Sequence, residues 1–567
     1  MQPSYETDVL VVGSGAAGLT AALTAAAHGA RVLVIEKSNL FGGTSASSGG
    51  VLWIPASHRA KALGQPDSRD EAISYIEALA ANGSSPERIQ SFVDNAPAML
   101  QFIEQEAGII YDSIAYTDYH AELPGGKLGY RSHDPVPFDG RILGKQLDTL
   151  QPTHPTAMLF GRISWTAAEV APLLSRQRGW VRSLFKVLWR YYSDVQQRVR
   201  SKRARFLTCG NALLAQLKLA LDERSVPLWR NAALRDLIVE HDRVVGAIVA
   251  HDGAERNISA KLGVILAAGG FERSALLRQQ NLGPNSARPE WSASQPENTG
   301  DALSAAQRIG AATQNMTSAW WAPTVVVPGE DRARPLFFER ALPGNIMVDR
   351  SGKRFTNEAA SYYVVGRKMV EHELDDRSDP PFYLVFDTTF RARFPAGPIM
   401  PMVPDRLLPR NVRSILSRAA TLTELAAKIG IPADALATTV RTFNDHARRG
   451  EDPEFGRGHQ AYDRYFGDPH AGANPNLAPL LKAPFYALPV YPGDIGTQGG
   501  LVTDGVGGVL DGLGHRIAGL YAIGNTASSV MGMSYPGAGS TLAPGMTFGF
   551  LAARDATGTG EAPKSGR

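Results

Sequence analysis

The sequence predicts an α/β protein, a Rossmann-type domain into which an α+β cap domain is inserted. A buried β-run, a glycine turn, a helix and a second β-run follow one another at 8–37. Glycine-punctuated strands recur at 496–525, and a stretch of different character separates the two regions. We therefore predict the first part of the nucleotide domain at 1–275, the cap at 276–480 and the second part at 481–567.

The first glycine turn carries the pattern of a dinucleotide-binding site. Val9–Val12 form the β-run, and Gly13, Gly15 and Gly18 fit G-x-G-x-x-G. The three glycines permit a tight turn, a close approach of pyrophosphate and close helix–strand packing, and the helix N-terminus then faces the phosphates. Glu36 ends the second β-run 18 residues after Gly18, where an acid can bind a ribose hydroxyl.

A membrane span or secretion signal is the alternative interpretation of this stretch. Val9–Ala27 are 19 residues without a charge. They are mostly Gly, Ala, Ser and Thr, with turn glycines inside, and no basic segment or cleavage context accompanies them. The dinucleotide interpretation is therefore preferred.

Composition excludes several other classes. The 567 residues suffice for two domains, and a net charge of +3 is too small to indicate nucleic-acid binding. With Cys209 as the single cysteine, an intramolecular disulfide or a cysteine-based metal centre cannot form, which fits a cytoplasmic protein. We expect no metal.

A small-residue segment follows the first motif, at 41–50. Together with Gly524-Asn525, it resembles the flavoproteins that include fumarate reductases and 3-ketosteroid dehydrogenases. The resemblance implies FAD. Some relatives attach FAD covalently to a histidine in this loop, and since no histidine occurs between Lys37 and Ile54, we expect non-covalent FAD. The implied cofactor-binding residues are Gly13, Ser14, Gly15, Ala16, Ala17, Gly18, Glu36, Lys37, Gly43, Thr44, Ser45, Ser48, Gly49, Gly50, Ala268, Gly269, Gly524, Asn525, Ser540, Thr541 and Leu542.

The C-terminal segment 524–539 separates the members of that superfamily. It contains no Arg, Lys or His, so a dicarboxylate would receive no charged partner from it, at a cost of several kcal/mol per ion. Tyr535-Pro-Gly-Ala-Gly539 resembles the Tyr-Pro-Gly-x-Gly motif of FAD-dependent 3-ketosteroid Δ1-dehydrogenases. The likeness extends to Asp118-Tyr119, Trp320-Trp321-x-Pro323, Asn357-Glu358-Ala359 and Thr497-x-Gly499-Gly500, which span nearly the whole chain except about 152–205.

The resemblance implies 1,2-dehydrogenation of a 3-keto-4-ene steroid or sterol, with cholest-4-en-3-one as one candidate. Tyr535 and the Gly539 N–H would bind the C3 carbonyl and stabilise the enolate. Tyr362 or Tyr363 would remove the C2 proton, with Tyr363 preferred, and Tyr119 would assist that base. Hydride would pass from C1 to flavin N5. The implied pocket residues are Tyr116, Trp320 and Trp321.

Other activities remain open at this point. A 3-ketosteroid Δ4-(5α)-dehydrogenase would share the flavin and the carbonyl site. A fumarate-type reductase and a sterol-binding flavoprotein without turnover are more distant alternatives. Since no second G-x-G-x-x-G lies between a strand and a helix, we expect a quinone or another carrier, not NAD(P), to reoxidise the flavin.

The segment missing from the resemblance is basic and amphipathic. Ten Lys or Arg lie between Arg176 and Arg205, against one acid, Asp194. At 100° per residue, Trp180, Leu184, Leu188 and Tyr192 share one helix face, and Arg182, Lys186 and Arg190 lie roughly 200° away. This pattern predicts a helix that rests on an anionic membrane surface, with Trp180, Leu184, Phe185, Leu188 and Trp189 in the headgroup region, although a helix docked on its own domain remains the alternative. We therefore predict peripheral attachment through about 176–205, within an insertion at about 152–205.

Overall fold

The computed structural model describes residues 4–166, 169, 179–283, 286, 288–374, 380–401 and 403–559. Its strands, labelled in chain order, are β1 Tyr5–Val12, β2 Val32–Ile35, β3 Leu52–Trp53, β4 Tyr111–Ser113, β5 Ser132–Pro135, β6 Phe138–Asp139, β7 Phe206–Leu207, β8 Leu228–Trp229, β9 Ala232–Glu240, β10 Arg243–His251, β11 Ala254–Leu266, β12 Thr313–Gln314, β13 Ala319–Val325, β14 Arg334–Pro335, β15 Asn345–Val348, β16 Phe382–Asp387, β17 Ser417–Ala419, β18 Phe485–Thr497, β19 Gly500–Leu501, β20 Gly508–Leu510 and β21 Arg516–Ala522.

The largest sheet confirms the α/β fold class. Its order is β20-β21-β10-β11-β1-β2-β8, with β9 paired to β10. The strands β11, β1, β2 and β8 run parallel, and β21 runs parallel to β11. The consecutive strands β9, β10 and β11 form an antiparallel meander. The glycine turn that follows β1 therefore lies at the carboxyl edge of a parallel sheet, where such sheets bind ligands.

A second, antiparallel sheet has six strands in the order β14-β13-β18-β16-β15, with β17 paired to β18. Its long central strand is β18, which we had assigned by sequence to the second part of the nucleotide domain. Long-range pairing of β18 with β13 and β16 puts this strand in the antiparallel sheet. The domain limits stay a prediction, and this pairing supports a second boundary after Thr497 instead of at 480.

Helices cover both sheets. Their bounds are Ala16–Ala27, Gly43–Ser47, His58–Ala62, Arg69–Ala80, Pro86–Ala107, Trp180–Tyr192, Val195–Arg200, Cys209–Glu223, Ala275–Asn281, Asp301–Arg308, Tyr362–Leu374, Thr388–Arg393, Arg410–Ser414, Leu422–Ile429, Ala433–Arg449, Ala461–Tyr465 and Leu542–Ala556. Two of them position the site. Helix Leu542–Ala556 packs against the first helix, and helix Tyr362–Leu374 packs against β13.

Within residues 179–205 the basic insertion forms two helices, which break at Ser193–Asp194. The predicted membrane-facing residues Leu184 and Leu188 instead pack inward, against a small cluster formed by Leu159, Ile163, Val187 and Tyr191. Arg190 pairs with Glu169 at 2.7 Å and lies over the Phe206 ring. The sequence pattern was therefore wrong about Leu184 and Leu188, whereas Tyr192 of the same predicted face is 52% exposed. Residues 176–178 of the predicted segment lie outside the described residues.

The opposite side of helix Trp180–Tyr192 exposes Val181, Phe185, Trp189 and Tyr192, and Phe185 and Trp189 are each 64% exposed. Arg182 and Lys186 lie on the same exposed side. We call these six residues the exposed strip. Among the described residues, no helix has the length and hydropathy needed to cross a bilayer.

Candidate active site

The turn after β1 forms the predicted cradle. Gly13 has φ +109°, and a Cβ there would lie 2.3 Å from the Ala267 carbonyl oxygen, so only glycine fits. The following helix begins at Ala16 without a side-chain cap, which leaves backbone N–H groups for a phosphate. The Glu36 carboxylate accepts hydrogen bonds from the Ser14 N–H at 3.1 Å and from Ser38 N–H at 2.9 Å.

A cavity of about 500 Å³ extends from this cradle into the cap. Glu36, Ser38 and Leu234 line one end, and Tyr119 and Tyr535 line the other. Of the predicted cofactor-binding residues, its wall includes Gly13, Ser14, Gly15, Ala17, Glu36, Lys37, Gly43, Thr44, Ser45, Ser48, Gly49, Gly50, Ala268, Gly269, Gly524, Asn525, Thr541 and Leu542. One continuous cavity thus joins the nucleotide cradle to the tyrosines.

Three predicted cofactor residues lie behind the wall. Ala16 donates its N–H to Ser45 Oγ at 3.1 Å. Gly18 allows close packing, since a Cβ there would lie 2.1 Å from the Gly13 oxygen. Ser540 Oγ bonds to Gly537. Their roles in the structure are to support the wall.

The loop Tyr535–Gly539 closes the far end of the cavity. Gly539 lines the cavity at φ +99°, and a Cβ there would lie 2.5 Å from the Trp53 nitrogen. Within the described part of the chain, the Gly539 N–H finds no acceptor. Tyr535 also lines the cavity and is 3% exposed. A backbone N–H and a buried phenol thus both line the cavity, and these are the kinds of donor that an oxyanion-binding pair uses.

Three tyrosines from distant parts of the chain pack together at this wall. The Tyr119 ring stacks on Tyr535 with centroids 5.2 Å apart, and Tyr362 contacts both rings edge-on at 5.6 and 5.5 Å. Burial raises the pKa of Tyr362 well above its usual value of 10, while a hydrogen bond from Tyr119 acts to lower it. Burial also raises the pKa of Tyr535, and a hydrogen bond from Tyr362 opposes that rise.

The geometry favours Tyr362 over Tyr363, contrary to our preference from the sequence. Tyr362 lines the cavity. The Tyr363 hydroxyl instead lies 2.5 Å from the Met533 carbonyl oxygen, to which it donates, and 3.1 Å from Gln498 Oε1. Both tyrosines lie in the first turn of one helix, about 100° apart, so only one of them faces the cavity.

The predicted pocket residues divide into two groups. Tyr116 lines the cavity and contacts Phe466, with ring centroids 5.7 Å apart. Trp320 lies behind Tyr535, with ring centroids 4.9 Å apart, and donates to Asn525 Oδ1 at 3.2 Å. Trp320 and Trp321 are buried but are not part of the cavity wall. Trp320 therefore supports the site without lining it.

Sequence reasoning missed several wall residues. The Gln295 N–H and the Asn298 side-chain amide donate to Thr44 Oγ1 at 3.2 and 3.1 Å. Phe337, Phe338 and Phe466 line the tyrosine end of the cavity. Isolated phenylalanines in a cap carry no sequence signal of a pocket, because core packing uses the same residues.

A buried ion-pair network holds Tyr119 in place. Asp118 accepts hydrogen bonds from Trp53 Nε1 at 2.8 Å and from Arg131 at 3.1 Å, and Arg131 also pairs with Asp67 at 2.7 Å. Burial raises the pKa of Asp118 to about 6, although the charge of Arg131 lowers it. At neutral pH this carboxylate is therefore ionised and anchored on both oxygens.

Comparison with known proteins agrees with this geometry. The model of the FAD binding domain family matches residues 8–542. The 3-oxosteroid 1-dehydrogenase of Mycolicibacterium smegmatis is 40% identical, and the match covers 99% of each chain. The 4-oxocyclohexanecarboxylate 2-dehydrogenase of Sinomonas cyclohexanicum is 38% identical over 98% of this chain and 94% of its own.

A crystal structure of the 3-ketosteroid delta1-dehydrogenase from Sterolibacterium denitrificans, in complex with 1,4-androstadiene-3,17-dione, matches with a TM-score of 0.94. It is 42% identical, and the match covers 98% of this chain and 100% of that one. The chain belongs to the FAD-binding flavoproteins, and within them to the family of FAD-dependent 3-ketosteroid Δ1-dehydrogenases. Its cofactor is FAD, and the narrow glycine turn, the uncapped helix and Glu36 fit that dinucleotide.

Replacing Tyr535 by Phe removes one hydroxyl donor from the cavity wall. We predict that kcat on a 3-ketosteroid falls by on the order of 10²-fold, since one oxyanion donor contributes about that much. Flavin absorbance per protein should stay unchanged. Tyr521→Phe, a matched control whose hydroxyl bonds to Asp555, should turn over normally. Wild-type turnover in Tyr535→Phe would remove this hydroxyl from the site.

Tyr362→Phe and Tyr363→Phe form a second, internally controlled pair. We predict that Tyr362→Phe reduces exchange of the C2 proton with deuterated solvent by on the order of 10²-fold or more, because proton transfer by a positioned group contributes about 10²–10⁴. Tyr363→Phe should have a mild effect, because its hydroxyl bonds to backbone. The reverse order, or two mild variants, would contradict the assignment.

Proposed function

We propose that this protein catalyses 1,2-dehydrogenation of 3-keto-4-ene steroids or sterols. The observation that carries the proposal is the meeting of Tyr362, Tyr119 and Tyr535 with the Gly539 N–H at the closed end of the cavity. A ring ketone held there would have its oxygen at two donors and its neighbouring carbon near a tyrosine hydroxyl. Degradation of steroids fits such an activity.

Each residue at the tyrosine end of the cavity has a separate role in this reaction. Tyr535 Oη and the Gly539 N–H donate to the C3 oxygen and stabilise the charge that develops on it. Tyr362, as its phenolate, would accept the C2 proton and become a neutral phenol, and Tyr119 donates to its oxygen, which stabilises the phenolate before the transfer. The bound FAD supplies the acceptor for the hydride from C1. We expect its attachment to be non-covalent, and a quinone or another carrier is the proposed final acceptor.

The chemistry of the wall favours a neutral, apolar substrate. At the tyrosine end the cavity is lined by Tyr116, Phe337, Phe338, Phe466 and Pro335. The charged wall residues Glu36, Lys37, Glu297 and Asp301 belong to the cradle, where Lys37 Nζ donates to Asp301 at 2.7 Å and to the Glu297 carbonyl at 3.3 Å. A carboxylate at the tyrosine end would lose its hydration without a cationic partner. This argues against fumarate-like acids and against the 4-oxocyclohexanecarboxylate on which a relative acts.

Substrate choice tests this directly. With a dye acceptor, the enzyme should convert androst-4-ene-3,17-dione into the 1,4-diene, and 4-oxocyclohexanecarboxylate should react with a kcat/KM lower by on the order of 10³-fold, as expected for burial of an unpaired charge. Oxidation of only the saturated 5α-ketone would instead indicate Δ4-(5α)-dehydrogenation. Preference for the carboxylate would overturn the proposal.

We further propose that the exposed strip rests on an anionic membrane surface. Its aromatic and aliphatic side chains reach the solvent beside Arg182 and Lys186, an arrangement typical of helices that lie in the headgroup region. Two further apolar residues, Val195 and Val199, are 65% and 83% exposed on the next helix. Each nearby basic residue contributes about 1 kcal/mol to attraction by an anionic surface.

The packed face of the helix that carries the strip is linked to the cavity wall by a short chain of contacts. His154, Thr156 and Ala157 line the cavity. Trp165 Nε1 donates to the Ala157 oxygen at 3.1 Å, and the adjoining Leu159 packs in one cluster with Val187 of the strip's helix. The helix that carries the strip is therefore packed against the segment that lines the cavity, an arrangement compatible with a substrate drawn from a bilayer.

Phe185→Ser/Trp189→Ser tests the membrane proposal, because both side chains are exposed and their loss leaves the packed face intact. Wild-type protein should pellet with anionic vesicles at low salt, and the variant should remain in the supernatant. Activity on cholest-4-en-3-one in vesicles should fall much more than activity on androst-4-ene-3,17-dione. Leu407→Ser/Leu513→Ser, which removes equally exposed leucines elsewhere, is the matched control. If the first variant still pellets, the strip is not the docking surface.

A further inference from the structure

A buried cation lies behind the cavity wall, on helix Pro86–Ala107. Arg88 is 4% exposed, and its Nη2 donates to the Ser528 carbonyl oxygen at 2.7 Å. Its guanidinium lies 5.3 Å from the centre of the Phe548 ring. Its Nε is buried without a hydrogen-bond partner among the described residues. Arg88 is thus buried against a carbonyl group and an aromatic ring. Neither carries a negative charge, so neither neutralises the guanidinium.

The nearby acid does not neutralise it. Burial lowers the pKa of Arg88 to about 10, with Asp504 acting weakly in the opposite direction. Asp504 itself lies 3.6 Å from Arg516. Arg88 therefore remains a cation at neutral pH, and most of its positive potential extends into the surrounding protein.

That potential reaches the wall of the main cavity. A small cavity of about 20 Å³, with room for one water molecule, is lined by Arg88 on one side. Gly524, Asn525, Thr541 and Gly545 line both this small cavity and the main one. One layer of residues therefore separates the guanidinium from the space that the cofactor occupies.

A second source of positive potential converges on the same layer. Helix Leu542–Ala556 begins at Leu542, with no side-chain cap and no acidic residue in its first turn. Its positive dipole end therefore lies at Thr541 and Leu542, which line the main cavity. The cradle at Glu36 binds the nucleotide end of FAD, so the redox-active ring belongs at this opposite end.

We propose that Arg88 tunes the FAD by electrostatics, without touching it: its buried charge stabilises the negative charge that reduced flavin carries, and so raises the reduction potential. Such tuning would favour withdrawal of hydride from an unactivated C–H bond. Arg88 is a positioning residue in this scheme, because it acts through the potential at the cavity wall. The proposal uses the established cofactor and does not depend on the steroid substrate.

Charge and hydrogen bonding can be separated at this position. Arg88→Gln keeps an N–H donor for Ser528 but loses the charge, and Arg88→Lys keeps the charge. We measure the midpoint potential of the bound flavin against a reference dye, and the dissociation constant for sulfite, whose adduct places negative charge on the flavin. Both readouts are independent of turnover.

Arg88→Gln should shift the midpoint potential downward and weaken sulfite binding by on the order of tenfold, as expected for loss of one buried charge near the ring. Arg88→Lys should remain within about twofold of wild type. Arg391→Gln removes a similarly buried arginine that pairs with Asp405, and should change neither quantity.

Two results would overturn the proposal. One is an unchanged potential and sulfite affinity in Arg88→Gln with full FAD content. The other is an equal shift in Arg88→Gln and Arg88→Lys, which would assign the effect to lost packing and not to charge. Should Arg88→Gln fail to fold, Arg88→Met and Arg88→Lys make the same comparison. Because no substrate is involved in these measurements, failure of the Arg88 proposal would leave the proposed steroid activity untouched. Failure of the steroid activity would likewise leave the Arg88 proposal untouched.

Discussion

The hydrogen bond from the Tyr119 N–H to the Pro536 carbonyl, at 2.9 Å, joins two loops that lie more than four hundred residues apart in the chain. Everything at the closed end of the cavity depends on this contact, since it fixes Tyr119 relative to Tyr535 and Gly539. Tyr75 Oη donates to the same carbonyl at 2.8 Å, and Ser132 Oγ donates to Ala538 at 2.9 Å. The backbone carbonyls of the loop Tyr535–Gly539 thus accept hydrogen bonds from three separate elements.

The Asp118–Arg131 pair makes that contact rigid. A buried ion pair contributes little net stability, because desolvation offsets its attraction. Its value here is geometric, since Asp118 precedes Tyr119 and is anchored by Trp53, Arg131 and the Lys127 N–H. A Cβ on Gly537 would come within 2.7 Å of the Trp53 ring and 3.1 Å of Asp118, so the loop fits closely over this network.

Burial of the tyrosine cluster has two opposite effects on catalysis. Hydrogen bonds to a developing oxyanion are strongest in a dry site, but the same dryness raises the pKa of every tyrosine there. A tyrosine base therefore needs a hydrogen-bond donor to its own oxygen, which stabilises its phenolate form. It is also helped if its protonation and the formation of the enolate occur together. In the proposed mechanism, Tyr119 would provide the donor, and the Tyr535–Gly539 pair would lower the energy of the enolate.

Features that depend on residues close together in the sequence could be predicted, and features that depend on contacts between distant segments could not. The cradle was predictable because Gly13, Gly15 and Glu36 act within one β-α-β unit. The choice of Tyr362 over Tyr363 was not, because it depends on how their helix is rotated against β13. The membership of β18 in the antiparallel sheet depends on pairing with strands that are distant in sequence. In the insertion, apolar residues occupy two faces of one helix, and only docking on Leu159 and Ile163 decides which face is exposed.

The central claim is that the Asp118 network acts on catalysis through the Tyr535 loop, and a double-mutant cycle tests it most directly. Asp118→Asn, Tyr535→Phe and the double variant are compared in kcat with wild type, at matched FAD content. Because interacting residues show coupling of about 0.5–3 kcal/mol, Asp118→Asn should lower kcat markedly in the wild-type background and much less in Tyr535→Phe. Additive effects of the two substitutions would mean that Asp118 supports only the fold, which would contradict the account.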